Sequence, residues 1–271
     1  YNLTETKKKS VQMDMIHGSI WDKLIKYALP VAATGILEQL FNASDVAVVG
    51  NFTGNAKTLA VAAVGANSPI VGLLLNFFIG IALGVNVVIA KAVGKNNNRT
   101  IHKAVHTSII MAVVGGLAVT VIGELFIDEL LQVLNVPDDV FPYALLYIRI
   151  YLIGMPVILL YNFEAAIFRS IGETKTPLKA LAFSGVVNVL LNLFFVIVLK
   201  MTVNGVAIAT VISNALSSVI LFIKLMKTDS VIHVDVKSLR FDKNVFIRII
   251  KIGLPAGVQS AVFSVANIVI Q

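Results

Sequence analysis

The sequence predicts an all-α, polytopic membrane protein, and its composition, apolar blocks and charge distribution support that fold class. The chain is 57% hydrophobic and 14% charged, and its mean hydropathy is +0.87. A soluble domain is about 45–50% apolar and about 25% charged. The excess apolar residues fall in blocks of about 20 or more, the length at which a helix crosses the bilayer core.

The apolar blocks predict six spans and the beginning of a seventh. A polar N-terminal tail at 1–23 precedes them and contains an interfacial helix, in which Trp21 suits the headgroup level of a bilayer. The six spans form one lobe at 24–228, a cytoplasmic connection follows at 229–245, and 246–271 is the truncated first helix of a second lobe. The predicted spans are 24–50, 60–90, 104–127, 141–168, 180–199 and 204–223, with a further one from about 246.

Basic residues are concentrated in alternate connections. The tail and the second, fourth and sixth connections each carry several lysines or arginines, whereas Lys57 and Lys200 stand alone in the first and fifth. The third connection is acidic and includes Asp138 and Asp139. By the positive-inside rule, the N-terminus and the even-numbered connections are cytoplasmic. The net charge of +7 is therefore a signal of topology, and no nucleic-acid partner is expected.

The residue types present also limit the chemistry. The chain has no cysteine, which excludes disulfides, thiol catalysis and cysteine metal sites. Its four histidines form no clear metal pattern, since His102 and His106 border a basic connection and an apolar helix. The tail is polar and has no apolar core, so no cleavable signal peptide is visible.

A repeat links the first span to the seventh. IKYALP at 25–30 is answered by IKIGLP at 250–255. An even number of spans lies between the two copies, so both begin on the cytoplasmic side, as in a parallel repeat. We therefore expect a natural chain about twice as long as one repeat, of which this is a fragment; Tyr1, with no methionine before it, fits that expectation. The second copy has no carboxylate where Glu38 and Asp45 stand, so the acidic chemistry belongs to the first copy.

The first span contains costly residues. Asp45 lies deep inside it, and a charged side chain at the bilayer centre costs roughly 2.5–3.5 kcal/mol and usually faces a cavity or a partner. Glu38 lies two turns earlier on about the same face. A purely structural alternative places one carboxylate near an interface or beside a hydroxyl. Pro30 removes one helical hydrogen bond. In membranes such a residue is more often a static kink, and a hinge becomes attractive because Pro30 shares its helix with Asp45.

Amides and a hydroxyl recur in two later spans. Asn188 and Asn192 are four residues apart on one face of span five, and Thr210 lies in span six with Asn214 one turn on. Such groups often hold membrane helices together by hydrogen bonds. The alternative is that they point at Asp45 and complete a proton or cation site from neutral oxygens.

Several motifs, taken in the order of the chain, match the motifs of one protein family. Span one carries LP…FN-x-x-D-x-x-x-V-G from Leu29 to Gly50, and the turn from Arg169 to Pro177 reads R-x-x-G-E-T-K-T-P. N-x-x-x-N in span five, G-x-A-x-A-T in span six and a second LP at 254–255 follow. Over essentially its whole length the chain resembles the multidrug and toxic compound extrusion (MATE) transporters.

The resemblance implies a fold and an activity. Two six-helix lobes would form a V around a central cavity, in a monomer embedded in the lipid bilayer of a prokaryotic plasma (inner) membrane. The protein would be a secondary active antiporter and not an enzyme. It would export organic cations or amphipathic drugs against an influx of H⁺ or Na⁺, with no cofactor beyond that coupling ion.

The resemblance also implies roles for particular residues. Asp45 matches the coupling carboxylate, and Pro30 matches the proline at which the helix bends. Asn188, Asn192 and Thr210 fall where the family draws its remaining cation ligands, so a Na⁺ site at these residues and Asp45 is possible. The sequence departs here from those prokaryotic relatives that have an aspartate in the position of Asn192, and a single titratable carboxylate, Asp45, favours proton coupling. Glu38, Gln39 and Asn42 of the same span are expected on the substrate cavity.

Two alternatives stay open at this point. A lipid-linked oligosaccharide flippase of the same superfamily would line its cavity with basic residues, whereas the charges within these spans are mainly acidic. A membrane scaffold or receptor that transports nothing would not need Asp45, and an efflux assay separates it from a transporter.

Overall fold

The computed structural model describes residues 20–270, with side chains for 21–264, and the predicted all-α membrane fold is confirmed. Most of the expected interfacial helix of the N-terminal tail lies outside the described residues; its last part, from Ile20, is continuous with the first helix. The helices are α1 Ile20–Phe52, α2 Lys57–Gly94, α3 Asn98–Val133, α4 Phe141–Ile153, α5 Met155–Ser170, α6 Lys175–Leu193, α7 Val203–Lys227 and α8 Lys243–Ile270. A π-helical turn, Phe194–Val198, extends α6, and 3₁₀ turns occupy Gly54–Ala56 and Val236–Ser238.

Within the described part of the chain, six helical segments are long and apolar enough to cross a bilayer. The pair α4 and α5 makes a seventh if the two are counted as one span. Most helices extend beyond the predicted spans because an apolar block marks the hydrocarbon core, whereas the helix continues into the polar layers on either side.

The predicted span at 141–168 consists of two helices, α4 and α5, that meet at a bend. The chain bends by 51° between α4 and α5, at Gly154. Pro156 provides the physical reason, because it has no backbone N–H for the carbonyl four residues earlier. That carbonyl belongs to Leu152, and the hydroxyl of Thr120 on α3 donates to it at 2.6 Å. A neighbouring helix therefore satisfies the backbone group that the proline frees.

Glycines let α2 and α8 touch at the backbone. A Cβ added at Gly84 would meet the carbonyl oxygen of Ile249 and, at 2.8–2.9 Å, the backbone of Gly253. One turn away, a Cβ at Gly80 would meet the backbone of Gly257. The two helices thus present matching small-x-x-x-small faces, an arrangement that permits close packing in membranes. This α2–α8 crossing fixes the position of α8 against the rest of the bundle.

The connection between α7 and α8 is held against α3. Asp242 accepts from Lys103 Nζ at 2.6 Å, and its backbone N–H donates to the Thr107 hydroxyl at 3.1 Å. Ile232 and Val234 are buried, with 1% of their surface exposed. The connection is therefore packed against the helices and does not hang free.

The Asp242 contact should depend on pH. The hydrogen bond from Lys103, followed by that from the Val245 N–H, holds the pKa of Asp242 below its usual value. A lowered folded-state pKa stabilises the attachment above the unfolded value, about 3.9, and this contribution is lost as pH falls through the lowered pKa. We expect Asp242→Asn to speed amide hydrogen exchange at 232–242 a few-fold near neutral pH. The increase that acid is expected to cause in the unsubstituted protein should be absent in this variant. Asp138→Asn, in another connection, is the control, and an equal effect from it would contradict this assignment.

Candidate functional site

Three helices converge on Asp45. The carboxylate comes from α1 and is 4% exposed. Its Oδ1 accepts from Asn192 Nδ2 on α6 at 2.5 Å, and its Oδ2 accepts from the Thr210 hydroxyl on α7 at 2.9 Å. Each carboxylate oxygen therefore has one donor from a different helix, which stabilises the ionised form inside the bundle.

Asn188 completes the cluster. Its Oδ1 accepts from Asn192 Nδ2 at 3.2 Å, and its Nδ2 lies 3.4 Å from the Thr210 hydroxyl oxygen. The four residues expected at a cation-coupling site are thus neighbours in one hydrogen-bonded group. Their role in coupling stays a prediction, because proximity alone assigns no activity.

The Thr210 hydroxyl has two acceptors within reach. Besides Asp45 Oδ2 it can donate to the backbone oxygen of Val206, at 3.0 Å. A hydroxyl has one proton to donate and two lone pairs with which to accept. If Asp45 takes up a proton, its new O–H can donate to Thr210 while the threonine proton turns to Val206. The site can therefore hold either state of the carboxyl group with all these partners satisfied.

A cation heavier than a proton would need a different arrangement. The Oδ1 of Asn192 is buried and has no hydrogen-bond partner in the described part of the chain, while its Nδ2 faces Asp45. Rotating that amide by about 180° would bring the free oxygen beside the carboxylate. With Asn188 and Thr210, it would then offer Na⁺ the oxygen ligands that a hard cation prefers.

The cluster opens on a cavity of about 380 Å³. The three residues expected on a substrate cavity, Glu38, Gln39 and Asn42, all lie on its wall, and the last two are exposed. Phe41 lies beside them on α1, and its ring fills the space that a side chain at Gly185 of α6 would need. Whether these residues contact a substrate remains a prediction.

The sequence reasoning missed the opposite wall of the cavity. Tyr147 and Tyr151 of α4 stack with their ring centroids 6.3 Å apart, and Tyr161 and Asn162 of α5 also line the space. The available signal was a pair of tyrosines at i and i+4 within an apolar block, which places two polar-tipped rings on one helix face. The two helices that meet at the bend, α4 and α5, therefore both contribute residues to the cavity wall.

A second buried carboxylate lies outside the cavity wall. Glu164 of α5 is 0% exposed, and its Oε2 accepts from the Ser218 hydroxyl of α7 at 3.0 Å. Its Oε1 has no partner among the described residues. Burial alone therefore does not distinguish Asp45 from Glu164. Asp45 differs because it lies on the cavity wall and accepts hydrogen bonds from two other helices.

Pro30 lies within α1, between the beginning of the helix and Asp45. The helix continues through it, and the Thr34 hydroxyl donates to the Pro30 carbonyl at 2.9 Å. Pro255 likewise lies inside α8, so both copies of the repeated motif are helices with an internal proline. The hinge function of Pro30 stays a prediction.

Comparison with known proteins finds relatives that are named as multidrug resistance or multidrug export proteins. The chain is 27% identical over 259 residues to a probable multidrug resistance protein, YoeA, of Bacillus subtilis, covering 93% of this chain and 55% of that protein. It is 24% identical over 248 residues to the probable multidrug resistance protein NorM of Thermotoga maritima, covering 89% and 52%. With the multidrug export protein MepA of Staphylococcus haemolyticus, the identity is 23% over 252 residues, covering 93% and 55%. The chain thus spans about half the length of these relatives.

Solved structures share the fold. A MATE transporter in the bent conformation superposes with a TM-score of 0.85 at 22% identity, over 93% of this chain and 55% of that one. A MOP superfamily transporter from Pyrococcus furiosus, described as having a binding pocket of reverse polarity, gives 0.85 at 23% identity over 97% and 57%. The MatE family model matches residues 30–194, which include α2 to α6 and most of α1. The chain therefore belongs to the MatE family of multidrug efflux transporters.

Proposed function

We propose that this chain forms the N-terminal lobe of a secondary active antiporter that exports amphipathic or cationic organic compounds in exchange for protons. The observation that carries the proposal is Asp45, a buried carboxylate that faces a cavity and is held by donors from two other helices. The names of the bacterial relatives, which describe multidrug resistance or export, support the class of substrate. A scaffold that transports nothing would have no use for this site.

The cavity wall suits cationic, partly apolar compounds. Glu38 and Asp45 bring negative charge, and none of the described lysines or arginines lies on the wall. The rings of Tyr147, Tyr151 and Phe41 offer flat apolar surface and, to a cation, the negative face of an aromatic ring. This charge balance disfavours the flippase alternative, which would bind anionic head groups.

Proton coupling is favoured over sodium coupling by the hydrogen bonds of the cluster. Its one carboxylate can gain a proton while the Thr210 hydroxyl turns to the Val206 carbonyl, with no other side chain displaced. Na⁺ would require the Asn192 amide to rotate, and it would find only one carboxylate among its ligands. The positive-inside pattern supports a cytoplasmic N-terminus in a prokaryotic cell, and the transporter would act as a monomer.

The proposed mechanism links protonation to a change in α1. Neutralising Asp45 weakens the charge-assisted hydrogen bonds that tie α1 to α6 and α7. The cytoplasmic and outer parts of α1 can then rearrange about Pro30, where one backbone hydrogen bond is already missing. This movement would shrink the cavity and release the substrate outward.

The proposal is tested in vesicles containing the complete transporter of which this chain is the N-terminal lobe. Efflux of a cationic dye is measured while the pH gradient and the Na⁺ gradient are varied independently. We expect efflux to follow the pH gradient at any Na⁺ concentration. Efflux driven by Na⁺ at uniform pH would replace proton coupling by sodium coupling, and no efflux under any gradient would favour the scaffold.

Thr210 provides a finer prediction. Thr210→Val keeps the shape of the side chain but removes the hydroxyl that contacts both Asp45 and Val206. We expect dye efflux to fall about tenfold, the order expected when one charge-assisted hydrogen bond is lost. Thr210→Ser keeps the hydroxyl and should retain most of the activity. Equal rates for the valine and serine variants would contradict a role for this hydroxyl.

A further inference from the structure

A second cavity lies at the end of the bundle where α2 ends and α8 begins. Its volume is about 420 Å³, and residues from the last turns of α2, the beginning of α3 and the first half of α8 surround it. This size falls in the range of small-ligand sites, about 300–1,000 Å³. It shares no lining residue with the cavity beside Asp45.

Four cations line this second cavity. They are Lys91 of α2, Lys95 just after α2, and Arg248 and Lys251 of α8; no carboxylate is among the described residues that line it. Within the described residues none of the four forms a salt bridge, and the nearby carboxylate of Asp242 is already paired with Lys103. Like charges gathered around one space repel each other, so the arrangement favours an anion between them.

The rest of the lining shows what kind of anion fits. Val88 and Ala92 of α2 and Ile252 of α8 give the cavity an apolar side beneath its basic rim. A basic rim above an apolar surface, at the end of membrane-spanning helices, matches a phosphate group joined to hydrocarbon chains. A guanidinium such as that of Arg248 also binds phosphate oxygens in pairs.

We propose that this cavity binds the phosphodiester headgroup of an anionic phospholipid. The basic connections that line it lie on the side that the charge pattern assigns to the cytoplasm, so the lipid would come from the inner leaflet. The same chemistry could in principle bind free phosphate, and the apolar side of the cavity favours the lipid.

The site adjoins the α2–α8 crossing. Val88 follows Gly84 by one turn on α2, and Ile252 precedes Gly253 on α8. A phosphate held between Lys91 and Lys251 would therefore bridge the two helices at the end of their closest approach. Binding should stabilise the crossing, because a ligand that binds only the folded state raises its stability.

The test uses the purified protein in neutral detergent, titrated with phosphatidylglycerol, phosphatidylcholine or inorganic phosphate. Retained lipid is counted by native mass spectrometry, and the Tm is recorded at each concentration. We expect phosphatidylglycerol to be retained and to raise the Tm, with little effect from the other two. A Tm increase from inorganic phosphate equal to that from phosphatidylglycerol would overturn the assignment to a lipid.

Two pairs of substitutions test whether the lipid binds at this cavity. Each lysine near a membrane surface contributes about 1 kcal/mol to anionic-lipid binding, so Lys91→Gln with Lys251→Gln should weaken it about 30-fold. Lys224→Gln with Lys227→Gln, at the basic end of α7, changes the net charge equally without touching the cavity, and should have little effect. Equal weakening by the two pairs would overturn the proposal.

A single substitution guards against misfolding of the double variant. Lys95 is exposed just after the end of α2, so Lys95→Gln should fold normally. We expect it to weaken phosphatidylglycerol binding about fivefold, while Lys95→Arg, which keeps the charge, restores binding. Unchanged binding by Lys95→Gln together with the Lys91 and Lys251 variants would also overturn the proposal.

Discussion

Replacing Asp45 by asparagine is expected to reduce drug efflux by the complete transporter to background while leaving a folded protein in the membrane. The amide has nearly the same shape and can still accept from Thr210, but it cannot take up and release a proton. Its Tm should be unchanged or higher, because an ionised group buried among membrane helices is costly. Efflux is measured with a cationic dye and expression by quantitative blotting.

Glu164 supplies the matched control for this experiment. Glu164→Gln is the same chemical change at another buried carboxylate, one that lies outside the cavity wall and contacts Ser218. We expect it to retain efflux. If Asp45→Asn kept proton-dependent efflux, or if Glu164→Gln alone lost it, the coupling role would move away from Asp45.

Gly84→Ala is expected to cause a large loss of stability at the α2–α8 crossing. The new Cβ would meet the backbone of Ile249 and Gly253, which cannot rotate away as a side chain can, so α2 and α8 would have to separate. Overpacking of this kind typically costs about 1–3 kcal/mol. Thermal unfolding in detergent should therefore show a clearly lower Tm.

Gly65→Ala is the control on the same helix. A Cβ at Gly65 meets nothing within 4 Å, so the substitution adds only the better helix propensity of alanine, worth up to about 1 kcal/mol. Its Tm should be equal to or above that of the unsubstituted protein. Equal Tm values for the two variants would show that α2 and α8 do not touch as closely as described.

The sequence was sufficient for the fold class and for the members of the Asp45 cluster, for a common physical reason. Apolar runs long enough to span a bilayer are rare outside membrane proteins, and polar residues within them are costly unless they meet. Asp45, Asn188, Asn192 and Thr210 stood out because each interrupts such a run, and the structure places them side by side. Hydrogen bonding between their helices explains why these polar residues are tolerated inside apolar runs and why they lie together.

The contacts between particular helices could not be read in the same way. The faces of α2 and α8 that meet at Gly84 and Gly253 are far apart in sequence, and a glycine pattern on one helix does not name its partner. At the bend near Gly154, Thr120 of a different helix donates to the carbonyl that Pro156 leaves free, and the sequence does not reveal that contact. Nor does the sequence show that the tyrosines of α4 lie on the wall of the cavity beside Asp45.

The most direct test of the central claim is proton release when substrate binds. If protonation of Asp45 weakens substrate binding, then substrate binding must displace protons, because coupling between two ligands is reciprocal. A cationic dye is added to the purified complete transporter in weakly buffered solution, and the pH change is recorded. We predict proton release by the unsubstituted protein and none by Asp45→Asn at a dye concentration that saturates both. Equal proton release by the two proteins would contradict the assignment of Asp45 as the coupling site.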